Sequence, residues 1–176
     1  PPAGTMPAGA LDRALDRLTA GFDHPLVTPL VELEPGLFVL ELFHGPTAAF
    51  KDLAMQLVAS LTDEALAASG ERLTILPATS GDTGAAAVRA FAGAKSVDLV
   101  VLHPLDRVSP IQRKQMTTVE ADNVLNLAVR GDFDDCQRLV KQLLADVSLR
   151  ERGRLSSVNS INWGRLAGQI PYYVSA

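Results

Sequence analysis

Lys51 lies in the stretch His44-Gly45-Pro46-Thr47-Ala48-Ala49-Phe50-Lys51-Asp52, where a helical pattern begins. A cation at that point opposes the positive end of the helix dipole, which disfavours the ammonium form. An unprotonated amine is what a lysine needs in order to attack an aldehyde and form a Schiff base. Lys51 is therefore the first candidate for a reacting residue. The plain alternative is a solvated lysine at a frayed helix start, with Asp52 beside it complementing the dipole.

Three more segments carry groups suited to small-molecule chemistry. Thr79-Ser80-Gly81-Asp82-Thr83-Gly84 separates an apolar run from a helical one. Its glycines permit close backbone approach, and free N–H groups at a helix start favour a carboxylate or phosphate. The alternative is a tight turn with Ser80 or Asp82 as N-cap. The spacing is neither GxGxxG nor a P-loop, so a dinucleotide or nucleoside triphosphate is not indicated. Ser109-Pro110-Ile111-Gln112-Arg113-Lys114 reads as a helix start with Ser109 as N-cap, and it can send donors from Gln112, Arg113 or Lys114 to the same edge. Asn159-Ser160-Ile161-Asn162-Trp163-Gly164-Arg165 crowds amides, a hydroxyl and a guanidinium at another helix start. It reads either as a second anion pocket or as a capping cluster with Arg165 turned to solvent.

The elements that must position these groups alternate. Apolar runs at 37–42, 73–78, 97–103, 124–129 and 155–160 read as strands, separated by helical patterns. Ala54, Leu57, Val58, Leu61 and Ala65 mark the core face of one helix; Phe133, Cys136, Val140, Leu143, Leu144 and Val147 mark another. Unalternating apolar strands between helices predict an α/β fold, doubly wound, with a mostly parallel sheet covered on both faces. In such a sheet ligands bind beyond the carboxyl ends of the strands, where all four segments lie. Residues 1–36 read as an irregular segment with a short helix at 11–20, and residues 37–176 as the α/β region. Asp132, Asp134 and Asp135 follow Gly131 at a helix start and read as caps rather than metal ligands. Cys136 reads as a small buried residue, and Pro171 as a kink or end to the last helical pattern.

Composition narrows the function. The 176 residues carry a net charge of -4 without charge blocks, which gives no footprint for nucleic acid or an anionic membrane. A single cysteine and no apolar run long enough to span a bilayer point to the cytoplasm. Self-association is left open. The Pro/Gly/Ala-rich start and an end inside an apolar pattern suggest a piece of something longer, truncated at both ends.

The motifs FHGPTAAFKD (43–52), SGDTG (80–84), RVSPIQRKQMTT (107–118), GDFDDCQ (131–137) and VNSINWGR (158–165), in that order, resemble those of the threonine synthases. These are pyridoxal 5'-phosphate enzymes of the tryptophan-synthase-β-like superfamily, fold type II. The resemblance runs from about Phe22 to the last residue. It implies that Lys51, with Phe50 beside it, holds the cofactor as a Schiff base and shuttles protons. It implies that the turn of Thr79, Ser80, Gly81, Asp82 and Thr83 receives the substrate carboxylate, with Asp82 near the cofactor's 3′-oxygen. Asn159, Ser160 and Arg165 match positions that bind the substrate phosphate, and Gln112 falls among the substrate-binding positions without an individual role. The implied reaction converts O-phospho-L-homoserine and water into L-threonine and phosphate by β,γ-elimination and then β-addition. The family's loop for the cofactor phosphate and its partner for the pyridine nitrogen lie downstream of residue 176. The chain is thus expected to be a fragment, mainly the smaller domain, with little activity alone. Alternatives are a threonine dehydratase-like or sulfhydrylase-like enzyme of the same superfamily, or a non-catalytic excised domain.

Overall fold

The computed structural model describes residues 6–158 and 162–176. Four strands, β3 (Leu73–Ile75), β4 (Val97–Pro104), β5 (Val124–Val129) and β6 (Leu155–Ser156), form an all-parallel sheet in the order β5-β4-β3-β6. Alternate side chains along β4 go to opposite faces, which explains why its run is mostly apolar. Val97, Leu99 and Val101 join one core, and Val100 and Leu102 join another on the opposite face.

The first core is packed by helices α2 (Lys51–Ser69), α3 (Asp82–Phe91) and α4 (Pro110–Thr117) through Met55, Ala59, Ala85, Val88, Phe91 and Met116. The second is packed by α5 (Phe133–Ala145) through Cys136 and Val140. Helices therefore cover both faces, as the patterning predicts.

Local chemistry sets the helix ends. Gly70 takes the left-handed conformation (φ 69°) that closes α2, with the Glu71 N–H bonding back to Leu66 O. Ser109 caps α4 with Pro110 in its first turn. Asp132 and Asp135 form a reciprocal capping box on α5, so these carboxylates are caps as read.

Several sequence expectations are corrected. The run at 37–42 does not enter the parallel sheet. Its strand β2 (Leu37–Leu40) pairs antiparallel with β1 (Leu30–Glu34), inside the segment read as irregular. A tight turn at Pro35-Gly36, with Gly36 at φ 81°, makes the local hairpin the shorter connection. On α2 the buried face is Ala54, Met55 and Ala59, while Leu57, Val58 and Leu61 are only half-buried along a groove beside β3. Val147 leaves the core because Asp146 ends α5 and caps a separate helix, α6 (Val147–Gly153). Pro171 does not stop a helix but sits in the first turn of the last one, α8 (Ile170–Ser175), where its missing N–H costs nothing. It follows α7 (Trp163–Ala167). The N-terminal helix α1 (Ala10–Ala20) is clamped to α2 by Arg13 and Arg17, both on Glu64.

Candidate active site

Lys51 is the first residue of α2, and the loop before it is built to hold it. Asp52 is fully buried; its carboxylate accepts from the Thr47 N–H at 2.8 Å, the Thr47 hydroxyl at 2.6 Å and the Ala49 N–H at 3.4 Å. It does more than complement the dipole, since it ties residues 47–49 into one conformation. Burial pushes the Asp52 carboxyl above its ordinary range, against the lowering effect of the Thr47 and Ala49 hydrogen bonds. A Cβ on Gly45 would come within 2.6 Å of the Asp52 side chain, so only glycine lets the loop pass. Ala48 is held at φ 55°, a left-handed conformation unusual for alanine and kept by the bonds around it.

The amine expected to face the dipole alone has company. Lys51 Nζ lies 3.4 Å from Asp82 Oδ2 and 4.2 Å from the centre of the Phe50 ring, with 18% of its side chain exposed. Gln112 Nε2 donates to the other Asp82 oxygen at 2.5 Å, and Ser109 Oγ donates to Gln112 Oε1 at 2.9 Å. Three strand-to-helix connections thus converge on one amine at the carboxyl edge of the sheet. Arg113 instead reaches Asp106 at 3.9 Å.

The turn after β3 is shaped by Thr79. Its buried hydroxyl accepts from the N–H groups of Gly81 (3.0 Å) and Gly84 (2.8 Å). This corrects the expectation that Ser80 or Asp82 caps α3: the N-cap position is Gly81, and no side chain of its own caps the helix. Gly81 has φ 152°, and a Cβ there would overlap the Gln112 carboxamide. Ser80 is exposed and Thr83 half-buried.

Arg165 is not turned to solvent. It is 4% exposed, its Nη1 donates to Val158 O at 3.4 Å, and no carboxylate among the described residues pairs with it. Burial lowers its pKa from the ordinary arginine value. With Thr83 it lines a cavity of about 240 Å³ at the carboxyl ends of β3 and β6, which Gln137, Lys141 and Ser157 also line. Asn159 and Ser160 lie outside the described residues. Gln137 and Lys141 were not singled out by sequence, because polar positions beside an apolar helix stripe look like an ordinary solvated face.

What the donor set could hold is testable against the geometry. A lysine whose amine stands at the sheet edge, beside an acceptor steadied by an amide, fits an aldehyde cofactor that bonds to lysine. Among the described residues no acidic, histidine or cysteine cluster suited to a metal occurs.

Residues 22–169 match the family described as pyridoxal-phosphate dependent enzyme. The threonine synthase of Pseudomonas aeruginosa is 48% identical over 174 residues, 99% of this chain and 37% of that relative. That of Schizosaccharomyces pombe is 46% identical over 181 residues, 98% of this chain and 35% of that relative. Among solved structures, the PLP-bound threonine synthase from Brucella melitensis has a TM-score of 0.93 at 49% identity, over 98% of this chain and 37% of that one. An aspartate racemase dependent on pyridoxal 5'-phosphate, 18% identical with a TM-score of 0.60, shares the fold. The chain spans just over a third of the length of the threonine synthases it matches. Since the family match extends over most of its residues, this chain belongs to the pyridoxal-phosphate dependent enzymes.

Proposed function

We propose that the chain carries the lysine-bearing part of a threonine synthase, which converts O-phospho-L-homoserine and water into L-threonine and phosphate. One observation carries the reading: Lys51 Nζ sits at the carboxyl edge of a parallel sheet, 3.4 Å from a carboxylate presented by the SGDTG turn. The likeness to threonine synthases from bacteria and yeast over nearly the whole chain supports it.

When bound, pyridoxal phosphate supplies an electron sink for charge developing on the substrate. Lys51 holds it covalently and moves protons at Nζ once released. Asp82 orients Nζ, and Gln112 holds Asp82. The Phe50 ring lies against the amine and limits water there. Thr79 acts through the backbone: its hydroxyl takes the Gly81 and Gly84 N–H groups inside the turn and leaves those of Ser80 and Thr83 to receive the substrate carboxylate. Arg165, with Asn159 and Ser160, takes the substrate phosphate. The reaction belongs in the cytoplasm, which the buried, unpaired Cys136 fits.

The test is absorbance after adding pyridoxal phosphate, with borohydride to trap weakly held cofactor. A visible band that borohydride bleaches is expected in the wild-type chain and not in Lys51→Ala. An equal band in both would overturn the reading.

A further inference from the structure

Helix α4 breaks the rule that a short surface helix turns its apolar residues inward. Within it only Gln112, Gln115 and Met116 are withdrawn from solvent, while Ile111 is 71% exposed. At i, i+3 and i+4 these three share one face. Two amides inward and an isoleucine outward are a local inconsistency of the kind that functional sites carry.

That face touches both halves of the candidate active site. Gln112 Nε2 donates to Asp82 Oδ1, and Met116 packs on Gly84, where an added Cβ would lie 2.6 Å from its sulfur. Gln115 Nε2 donates at 3.1 Å to Thr47 O, 68 residues away in the loop that leads to Lys51. The helix itself is held at both ends. Ser109 Oγ accepts the Gln112 N–H at 3.3 Å, and Asn126 Nδ2 of β5 donates to Met116 O at 2.9 Å. Thr47 is buried, and its N–H and hydroxyl already bond to the Asp52 carboxylate. Its carbonyl is the remaining polar group, and Gln115 takes it.

We propose that Gln115 is a positioning residue for the reacting amine, acting through Thr47 to keep the Lys51 loop in register with the SGDTG turn, with α4 as the rigid spacer. The proposal deepens the reading above and rests on it for the role of Lys51. The contact it protects is delicate: at 3.4 Å, Lys51 Nζ and Asp82 Oδ2 stand at the outer limit of a hydrogen bond, so a small shift of either loop parts them. With Gln112 on Asp82 and Gln115 on Thr47, both sides of that contact are referred to one helix. A substrate carboxylate received by the turn is then already placed relative to the amine, which is the preorganisation that a reacting group needs.

The test uses Gln115→Met, which keeps the length and removes the donor, and Gln115→Lys, which restores a donor. Gln142→Met, an exposed glutamine on α5, is the control. One readout needs no cofactor: hydrogen exchange at the Ala48 and Asp52 amides, which bond to Gly45 O and Ala49 O inside the loop. The other is borohydride trapping of limiting pyridoxal phosphate on Lys51, read by mass mapping. Gln115→Met should speed exchange roughly fivefold, as for one net hydrogen bond of about 1 kcal/mol, and lower trapping by up to the same factor. Gln115→Lys should recover both, and Gln142→Met should change neither. Adding Gln112→Met to Gln115→Met should lower trapping no further than the poorer single variant, because either change alone unlinks the two loops. Additive losses, unchanged amides in Gln115→Met, or equal losses in Gln115→Lys and Gln115→Met overturn the proposal. If the amides loosen while Lys51 traps cofactor as in the wild type, the positioning role is refuted and the enzyme reading stands. If the amides respond to Gln115 while Lys51 of the wild-type chain takes no cofactor, the enzyme reading fails instead, and Gln115 keeps only its hold on the loop.

Discussion

Thr79 offers a clean separation of hydrogen bonding from packing. Its side chain is 1% exposed, its hydroxyl accepts from Gly81 and Gly84, and its methyl packs on Gly84, where an added Cβ would lie 2.5 Å from Thr79 Cγ2. Thr79→Val keeps the volume and adds apolar surface, but leaves two backbone N–H groups buried without acceptors. Each orphaned donor costs about 1–3 kcal/mol, and partial relaxation of the turn brings the expected total to about 2–4 kcal/mol. Thr79→Ser keeps the hydroxyl and loses one buried methyl, about 1 kcal/mol. Urea unfolding, with unchanged slope for both variants, measures the difference. Hydrogen exchange at the Gly81 and Gly84 amides should accelerate in the valine variant only. If valine costs no more than serine, packing rather than the hydroxyl shapes the turn, and the account of how the SGDTG backbone is held is wrong.

Two further outcomes follow from the same geometry. Gly81→Ala combines an unfavourable φ of 152° with overlap on Gln112; it should free Gln112 from Asp82 and reduce trapping of pyridoxal phosphate on Lys51 more than tenfold, read by intact mass, whereas undiminished trapping would show that the glycine is not needed. His44 bonds through one ring nitrogen to Asp23 and through the other to Glu41, both at 2.7 Å. The Glu41 bond first, and then Asp23, raise its pKa over the opposing effect of burial. The stability this contributes is present in full below the ordinary histidine value of about 6.5 and is lost as pH rises through the higher folded-state value. Melting temperatures across that window should fall for the wild type and less for His44→Asn, and parallel curves would remove His44 from the account.

Much of the site could be read before any coordinates because its parts announce themselves at helix starts. Asp82 and Gln112 lie in turns that leave β3 and β4, and parallel topology sends both turns to one edge; Lys51 follows the antiparallel hairpin and reaches that edge because α2 packs on α3. The layers were legible for a related reason: the strands buried on both faces carry runs, not alternation. The hairpin at 30–40 escaped because four or five apolar residues read the same way in a two-stranded ribbon as in a sheet core. Periodicity also predicted continuity through Val147, but a single aspartate satisfied by Leu149 N–H was enough to restart the helix. The role of Thr79 was hidden because the N–H groups it accepts from lie across a turn rather than in helical register. Lys141 was invisible for a deeper reason. It shares a cavity with Arg165, distant in sequence, and only the packing of α5 over β4 and the segment after β3 brings the two together.

The central claim is that Lys51 is the residue that bonds the cofactor. The most direct measurement is borohydride reduction of the chain with pyridoxal phosphate, followed by proteolysis and mass mapping of the lysines. The account predicts one phosphopyridoxyl group on Lys51. A modification spread over Lys95, Lys114 and Lys141, or one that persists unchanged in Lys51→Ala, would contradict it.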